Sequence, residues 1–154
     1  MRFVSLLFAL LTVAGCRGLY ASQEAKDSPF VGTWVADLSK SKQSARNQFK
    51  SATLQISVTA DTVTIASRFV DGTGQERHAV QPLRTDGTET PASLTPGAVL
   101  VARWLDARVL DTAAKKDGRV IALVRYEVSA DGKTLTTRST GMFDQVIVYD
   151  RQRP

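Results

Sequence analysis

The chain has one cysteine, Cys16, and one histidine, His78. A single cysteine excludes a disulfide within the chain. A lone histidine with no second histidine or cysteine near it cannot complete a zinc site of the usual kind. No Gly-x-Ser-x-Gly elbow is present to expose a hydrolase nucleophile. A triad would need His78 as base, an activated serine and an orienting carboxylate. No glycine-rich loop leads into a helix, and Gly72-Thr73-Gly74 reads as a hairpin turn. The Asp-rich turns lack the spacing of a calcium loop. These absences predict a non-enzyme with no catalytic residue, no metal and no cofactor, and leave His78 as an exposed or hydrogen-bonded strand residue. Long apolar runs are missing too. The run from Phe3 to Val13 falls short of the roughly 20 residues of a membrane-spanning helix, and Arg17 prevents its extension. Charge of one sign is not concentrated: 20 Lys and Arg stand among 15 Asp and Glu, for a net +5. A nucleic-acid binder would gather its cations on one stripe with exposed aromatics, so no nucleic-acid partner is expected. The one local exception is Lys40, Lys42, Arg46 and Lys50. It reads as a solvated loop, or as a positive rim that attracts anionic ligands or lipid headgroups.

What is present begins with Arg2 and the apolar run to Val13, followed by Val13-Ala14-Gly15-Cys16. A basic tip, an apolar core and small residues before a cut form a secretory signal. The last four residues resemble the bacterial lipobox, which implies cleavage before Cys16 and lipidation of its thiol. Stable anchoring needs more than one acyl chain, as that chemistry supplies. The alternative is cleavage after Ala21, which releases a soluble periplasmic or secreted protein. Residues Ser22 to Pro29 are polar with no apolar period and read as a tether. The expected organisation is a signal peptide with lipobox over 1–15, a polar tether over 16–29 and one domain over 30–154. That domain is long enough for a hydrophobic core without disulfides.

Strand patterns fill the domain. Alternation of apolar and polar residues predicts strands over Thr53–Thr59, Thr62–Phe69, Ala98–Leu105, Arg119–Ser129, Thr134–Met142 and Gln145–Arg151, with weaker ones over Glu76–Leu83 and Arg108–Ala114. Asp71-Gly72, Asp117-Gly118 and Asp131-Gly132 are hairpin signals between them. Thr85 to Gly97, with Pro91 and Pro96, reads as a longer loop. Ser39 to Ser51 has little alternation and reads as a loop or short helix crossing one end of the fold. Repeated hairpins build an antiparallel meander. About eight to ten strands hide their edges by closing into an up-and-down barrel, with a two-sheet sandwich as the other closure. The fold class is therefore all-β.

Gly32-Thr33-Trp34 opens the first strand, and Val148-Tyr149-Asp150-Arg151 closes the last. This Gly-x-Trp before a meander resembles the lipocalin and calycin pattern. The resemblance implies that Trp34 plugs the closed end of a barrel and that Arg151 packs across it. Stacking a guanidinium on an indole contributes about 0.5–2 kcal/mol. The ordered set Gly32-Thr33-Trp34, Asp37 to Lys42, Lys115 to Val120 and Val128 to Thr136 resembles small exported bacterial proteins described as lipocalin-like. That group is uncharacterised and brings no established activity. The expected function is that of an exported, lipid-anchored envelope protein that binds a small apolar or amphipathic ligand, with the membrane as its second partner. The alternative is a non-catalytic structural or interaction protein whose barrel is filled by its own side chains. A binding reading draws on arginines within strands: Arg68, Arg103, Arg125 and Arg138. An inward guanidinium needs an acid partner or a ligand carboxylate. Arg125 and Arg138 flank the Asp131-Gly132 turn at comparable distances, so they are the ligand-binding candidates.

Overall fold

The computed structural model describes residues 27–153. The expected signal segment, Cys16 and most of the expected tether lie outside the described residues. The described chain is all strand and turn: β1 (Gly32–Lys42), β2 (Phe49–Val58), β3 (Thr62–Asp71), β4 (Glu76–Arg84), β5 (Thr90–Pro91), β6 (Ala98–Asp106), β7 (Val109–Lys116), β8 (Arg119–Val128), β9 (Thr134–Gly141) and β10 (Gln145–Arg151). All pairings are antiparallel, in the order β4-β3-β2-β1-β10-β9-β8-β7-β6-β5. The first and last long strands are therefore neighbours, with Trp34 opposite Arg151 and Ala36 opposite Tyr149. The sheet curls until its edges meet and forms a nearly closed barrel.

Period-2 sequence produces this wall directly. In β2, Ala52, Leu54, Ile56 and Val58 are buried while the residues between them are more exposed. Val63 and Ile65 continue the same face on β3, and Leu83 does so on β4. Turn chemistry sets the hairpins. Asp117 and Gly118 both have positive φ, 50° and 74°, the backbone of a tight turn matched to strand twist. The Asp71 carboxylate accepts bonds from the Thr73 and Gln75 amides, each at 3.0 Å, and pins the β3–β4 turn.

Two expectations are corrected. Ser39 to Ser51 holds no helix. β1 runs on to Lys42, a Ser44–Asn47 bridge closes the hairpin, and β2 starts at Phe49. Asp37 accepts from Ser39 and pairs with Lys40, while the Ser41 hydroxyl donates to the Asp37 carbonyl, which fits this polar stretch to a bulged strand. The Thr85 to Gly97 loop contains the short strand β5, paired with Val99 and Leu100.

The barrel is closed between β4 and β5 by side chains in place of a ladder. The Gln81 amide donates to the Pro91 carbonyl at 3.0 Å, and the Ser93 hydroxyl donates to the Val80 carbonyl at 2.6 Å. The Ser93 amide donates to the Gln81 side-chain oxygen at 2.7 Å.

Candidate functional site: the barrel interior

One end of the barrel is stoppered. Trp34 and Phe30 are fully buried there, with Val63, Leu83, Leu110, Val128 and Leu135 around them. The Trp34 indole donates to the Phe30 carbonyl at 2.9 Å, and Phe30 meets Trp104 edge-on at 5.0 Å. Arg151 lies over the Trp34 ring, 4.1 Å from its centroid. Its guanidinium donates to the carbonyls of Gly132 at 2.6 Å and Val31 at 2.7 Å, and also to that of Pro29. The N-terminal lead-in, the β8–β9 turn and β10 are thus tied to one planar cation. Gly32 leaves room for it, since a Cβ there would stand 2.8 Å from an Arg151 nitrogen.

The opposite half is lined differently. Its inward positions, set by strand alternation, include Ala36, Ser67, Ala79, Gln81, Ala114, Ala122, Val124 and Tyr126, and all are only partly buried. Phe69, Leu100 and Tyr126 stand among these smaller side chains and pack against the core, whereas the stoppered half is built on the fully buried rings of Trp34 and Phe30. Hydroxyls gather on the β7–β10 wall. Thr112, Thr137 and Ser139 are the buried polar residues among those described. Tyr126 pairs with Thr137 across β8 and β9, and Tyr149 follows on β10. Burial pushes the Tyr126 phenol up to about 12. Tyr149 is raised further by burial and by neighbouring Tyr126, with Thr137 acting against the shift. Both therefore remain neutral donors over the ordinary pH range.

The arginine candidates are placed elsewhere. Arg125 is exposed on the outer face, where its guanidinium grips Asp111 at 2.7 and 2.8 Å. That bond holds the Asp111 carboxyl below its ordinary range. Arg138 is Arg125's register partner and is also exposed. The structure thus corrects the expectation of an inward guanidinium at either position. Alternation gives the reason: Arg125 lies between inward Val124 and Tyr126. Arg68 and His78 are a pair on the outer face, both bonded to Glu76, with His78 at 2.9 Å. Of the basic quartet, Lys40 binds Asp37 and Asp150 on the outer wall, at 2.8 and 3.1 Å. Lys42, Arg46 and Lys50 are exposed around the β1–β2 hairpin at the open end. No group of three or more metal-ligating side chains comes together among the described residues.

A shallow groove of about 360 Å³ marks the outer face of β1–β3, lined chiefly by Val31, Thr33, Gln55, Ser57, Thr64 and Ala66. A smaller one of about 240 Å³ lies beside Arg68 and Glu76.

No family model and no curated protein matches the chain. Solved structures do. The fluorescent protein UnaG superposes with a TM-score of 0.58 at 21% identity, over 80% of this chain and 97% of that one. A Schistosoma mansoni fatty acid binding protein in complex with arachidonic acid gives 0.58 at 15% identity, over 82% and 98%. The REP1-NXSQ fatty acid transporter gives 0.51 at 11% identity, over 80% and 96%. At these identities the likeness is one of fold alone: the chain shares the antiparallel barrel of these proteins.

Proposed function

We propose that the protein is a non-catalytic carrier that takes a small apolar or amphipathic molecule into the open half of its barrel. The observation that carries this reading is the asymmetry of the inner face. One half is packed tight around Trp34 and Phe30, and the other carries the partly buried Ala36, Ser67, Ala79, Ala114 and Ala122 beside the buried hydroxyls of Thr112, Thr137 and Ser139. Apolar lining with a few placed polar groups suits a small-molecule site. Two barrels of the same fold are described as a fatty acid binding protein and a fatty acid transporter, which supports a lipophilic ligand. The lipobox-like Val13-Ala14-Gly15-Cys16 supports export and attachment of this carrier to a bacterial envelope through Cys16.

The test is uptake of the neutral fluorescent reporter N-phenyl-1-naphthylamine by the wild type and by Ala114→Trp, which puts a large ring into the open half. The carrier reading expects saturable uptake that falls at least tenfold in the variant. Uptake that is absent, or indifferent to the ring, contradicts it. The outer groove over Thr33, Gln55 and Thr64 favours a second reading, in which a filled barrel acts through its surface. Uptake lost in Gln55→Trp but kept in Ala114→Trp would select it. For the anchor, Cys16→Ser is expected to move the protein from the membrane to the soluble fraction. Unchanged fractionation contradicts lipidation at Cys16.

A further inference from the structure

The carrier reading leaves the class of ligand open, and the charge of the interior decides it. Among the described residues, no charged side chain is buried, and the buried polar ones are Thr112, Thr137 and Ser139. Arg125 and Arg138 are on the outer face, and Arg77, which has the inward phase at the open end of β4, is exposed at the rim and paired with Asp71 at 3.1 Å. A carboxylate taken below the rim would lose its hydration and meet no cation, an arrangement that strongly disfavours the charged form.

Neutral hydrogen-bonding groups are instead concentrated on one wall. Thr112 pairs with Val124, and Val124 with Ser139. The next inward row carries Tyr126 opposite Thr137. Thr112 and Ser139 already donate their protons, to the Val124 carbonyl at 3.2 Å and the Phe143 carbonyl at 3.0 Å. Their oxygens keep lone pairs that can accept a bond. Tyr126 adds a phenol to the same inner face, opposite Thr137. The wall opposite, on β2 and β3, is apolar, with Leu54, Ile56 and Ile65. The interior therefore has an oily side and a hydroxyl side.

We propose that this hydroxyl wall selects an uncharged lipophile that carries a hydroxyl or carbonyl, such as a long-chain alcohol or a neutral ester, over a fatty acid anion. The inference rests on the carrier reading. A ligand hydroxyl can donate to Thr112 or Ser139 and accept from Tyr126, while a carbonyl can accept from Tyr126. A carboxylate can only accept, and the wall has no charge to balance it.

The experiment displaces N-phenyl-1-naphthylamine from the full chain at pH 7.5 with 1-dodecanol, methyl laurate and laurate. These share a chain of twelve carbons and differ in the head. The alcohol and the ester are expected to displace the reporter at concentrations at least tenfold lower than laurate. Tyr126→Phe combined with Thr112→Val and Ser139→Ala is expected to cut that preference to about twofold. Laurate competing as well as or better than the alcohol overturns the inference and leaves the carrier reading standing. A preference that survives in the triple variant overturns the hydroxyl wall as its source. Failure of the wild type to take up the reporter overturns the carrier reading and this inference together.

Discussion

Gly32 and Arg151 are fitted to one another. Gly32 has φ of 140°, a conformation that side chains rarely adopt, and a Cβ there would intrude on the guanidinium. Gly32→Ala is therefore expected to destabilise the fold by about 1–3 kcal/mol in denaturant unfolding. Arg151→Lys keeps the charge but loses the planar fork that reaches three carbonyls and the indole face. A loss of roughly 2–3 kcal/mol is expected. Arg125→Ala removes only an exposed ion pair with Asp111, so it is expected to cost under about 1 kcal/mol and to leave reporter uptake intact. Tyr126 makes a separate prediction at high pH. Its folded value lies above the ordinary 10.0, so its contribution is complete below pH 10 and is lost as pH rises toward about 12. Absorbance at 295 nm should show a late tyrosinate component that Tyr126→Phe reduces, leaving the part that belongs to Tyr149.

Elements show where the sequence was informative and where it was not. The Asp-Gly pairs marked three hairpins: Gly118 and Gly132 take the positive φ that few residue types adopt, while in the Asp71-Gly72 turn it falls to Gly74. Strands with clean alternation, such as Arg119–Val128, were legible for the same kind of reason: one face must be apolar. The same alternation already placed Arg125 out of phase with Val124 and Tyr126, so its outward position could be read without coordinates. Thr112, Thr137 and Ser139 share the phase of apolar neighbours, and that was the available signal for the hydroxyl wall. The end of β1 was not legible. Ser39 to Lys42 is polar on both faces and stays a strand because Lys40 and Ser41 tie it to β10: Lys40 to Asp150, and Ser41 by accepting from the Val148 amide. The β4–β5 seam was equally hidden, since it depends on Gln81 and Ser93 meeting across the closing edge. Ser93→Ala with Gln81→Ala is expected to raise amide exchange in β4 while β8 and β9 stay protected. Acid stability is also set locally. Lys40 and then Ser39 hold Asp37 at about 2, against 3.8 in the unfolded chain. Asp71 is held low by the Thr73 hydroxyl and the Gln75 amide. Groups depressed in this way stabilise above their unfolded value, and that contribution is lost as pH falls through the folded one. A melting temperature that is level above about pH 5 and falls from about pH 4 toward pH 2 is expected.

At the scale of the whole molecule, the barrel is built unequally along its axis. The stoppered end takes the large aromatics, the cation–indole stack and the chain's N-terminal lead-in. The open end takes small side chains, a wall of hydroxyls and the exposed Lys42, Arg46 and Lys50. Its charges stand outside or at the rim, and its interior is neutral. This division suits the proposed carrier of an uncharged lipophile: a fixed stopper at one end, and hydroxyls on one wall of the other. The most direct measurement is an amide correlation spectrum of isotopically labelled protein during titration with N-phenyl-1-naphthylamine. The account expects the largest shifts at Ala79, Ala114, Ala122, Val124 and Tyr126, with Thr33, Gln55 and Thr64 little changed. Shifts confined to Thr33, Gln55, Ser57 and Thr64 would contradict it, because they would place the ligand in the outer groove and leave the barrel interior unused.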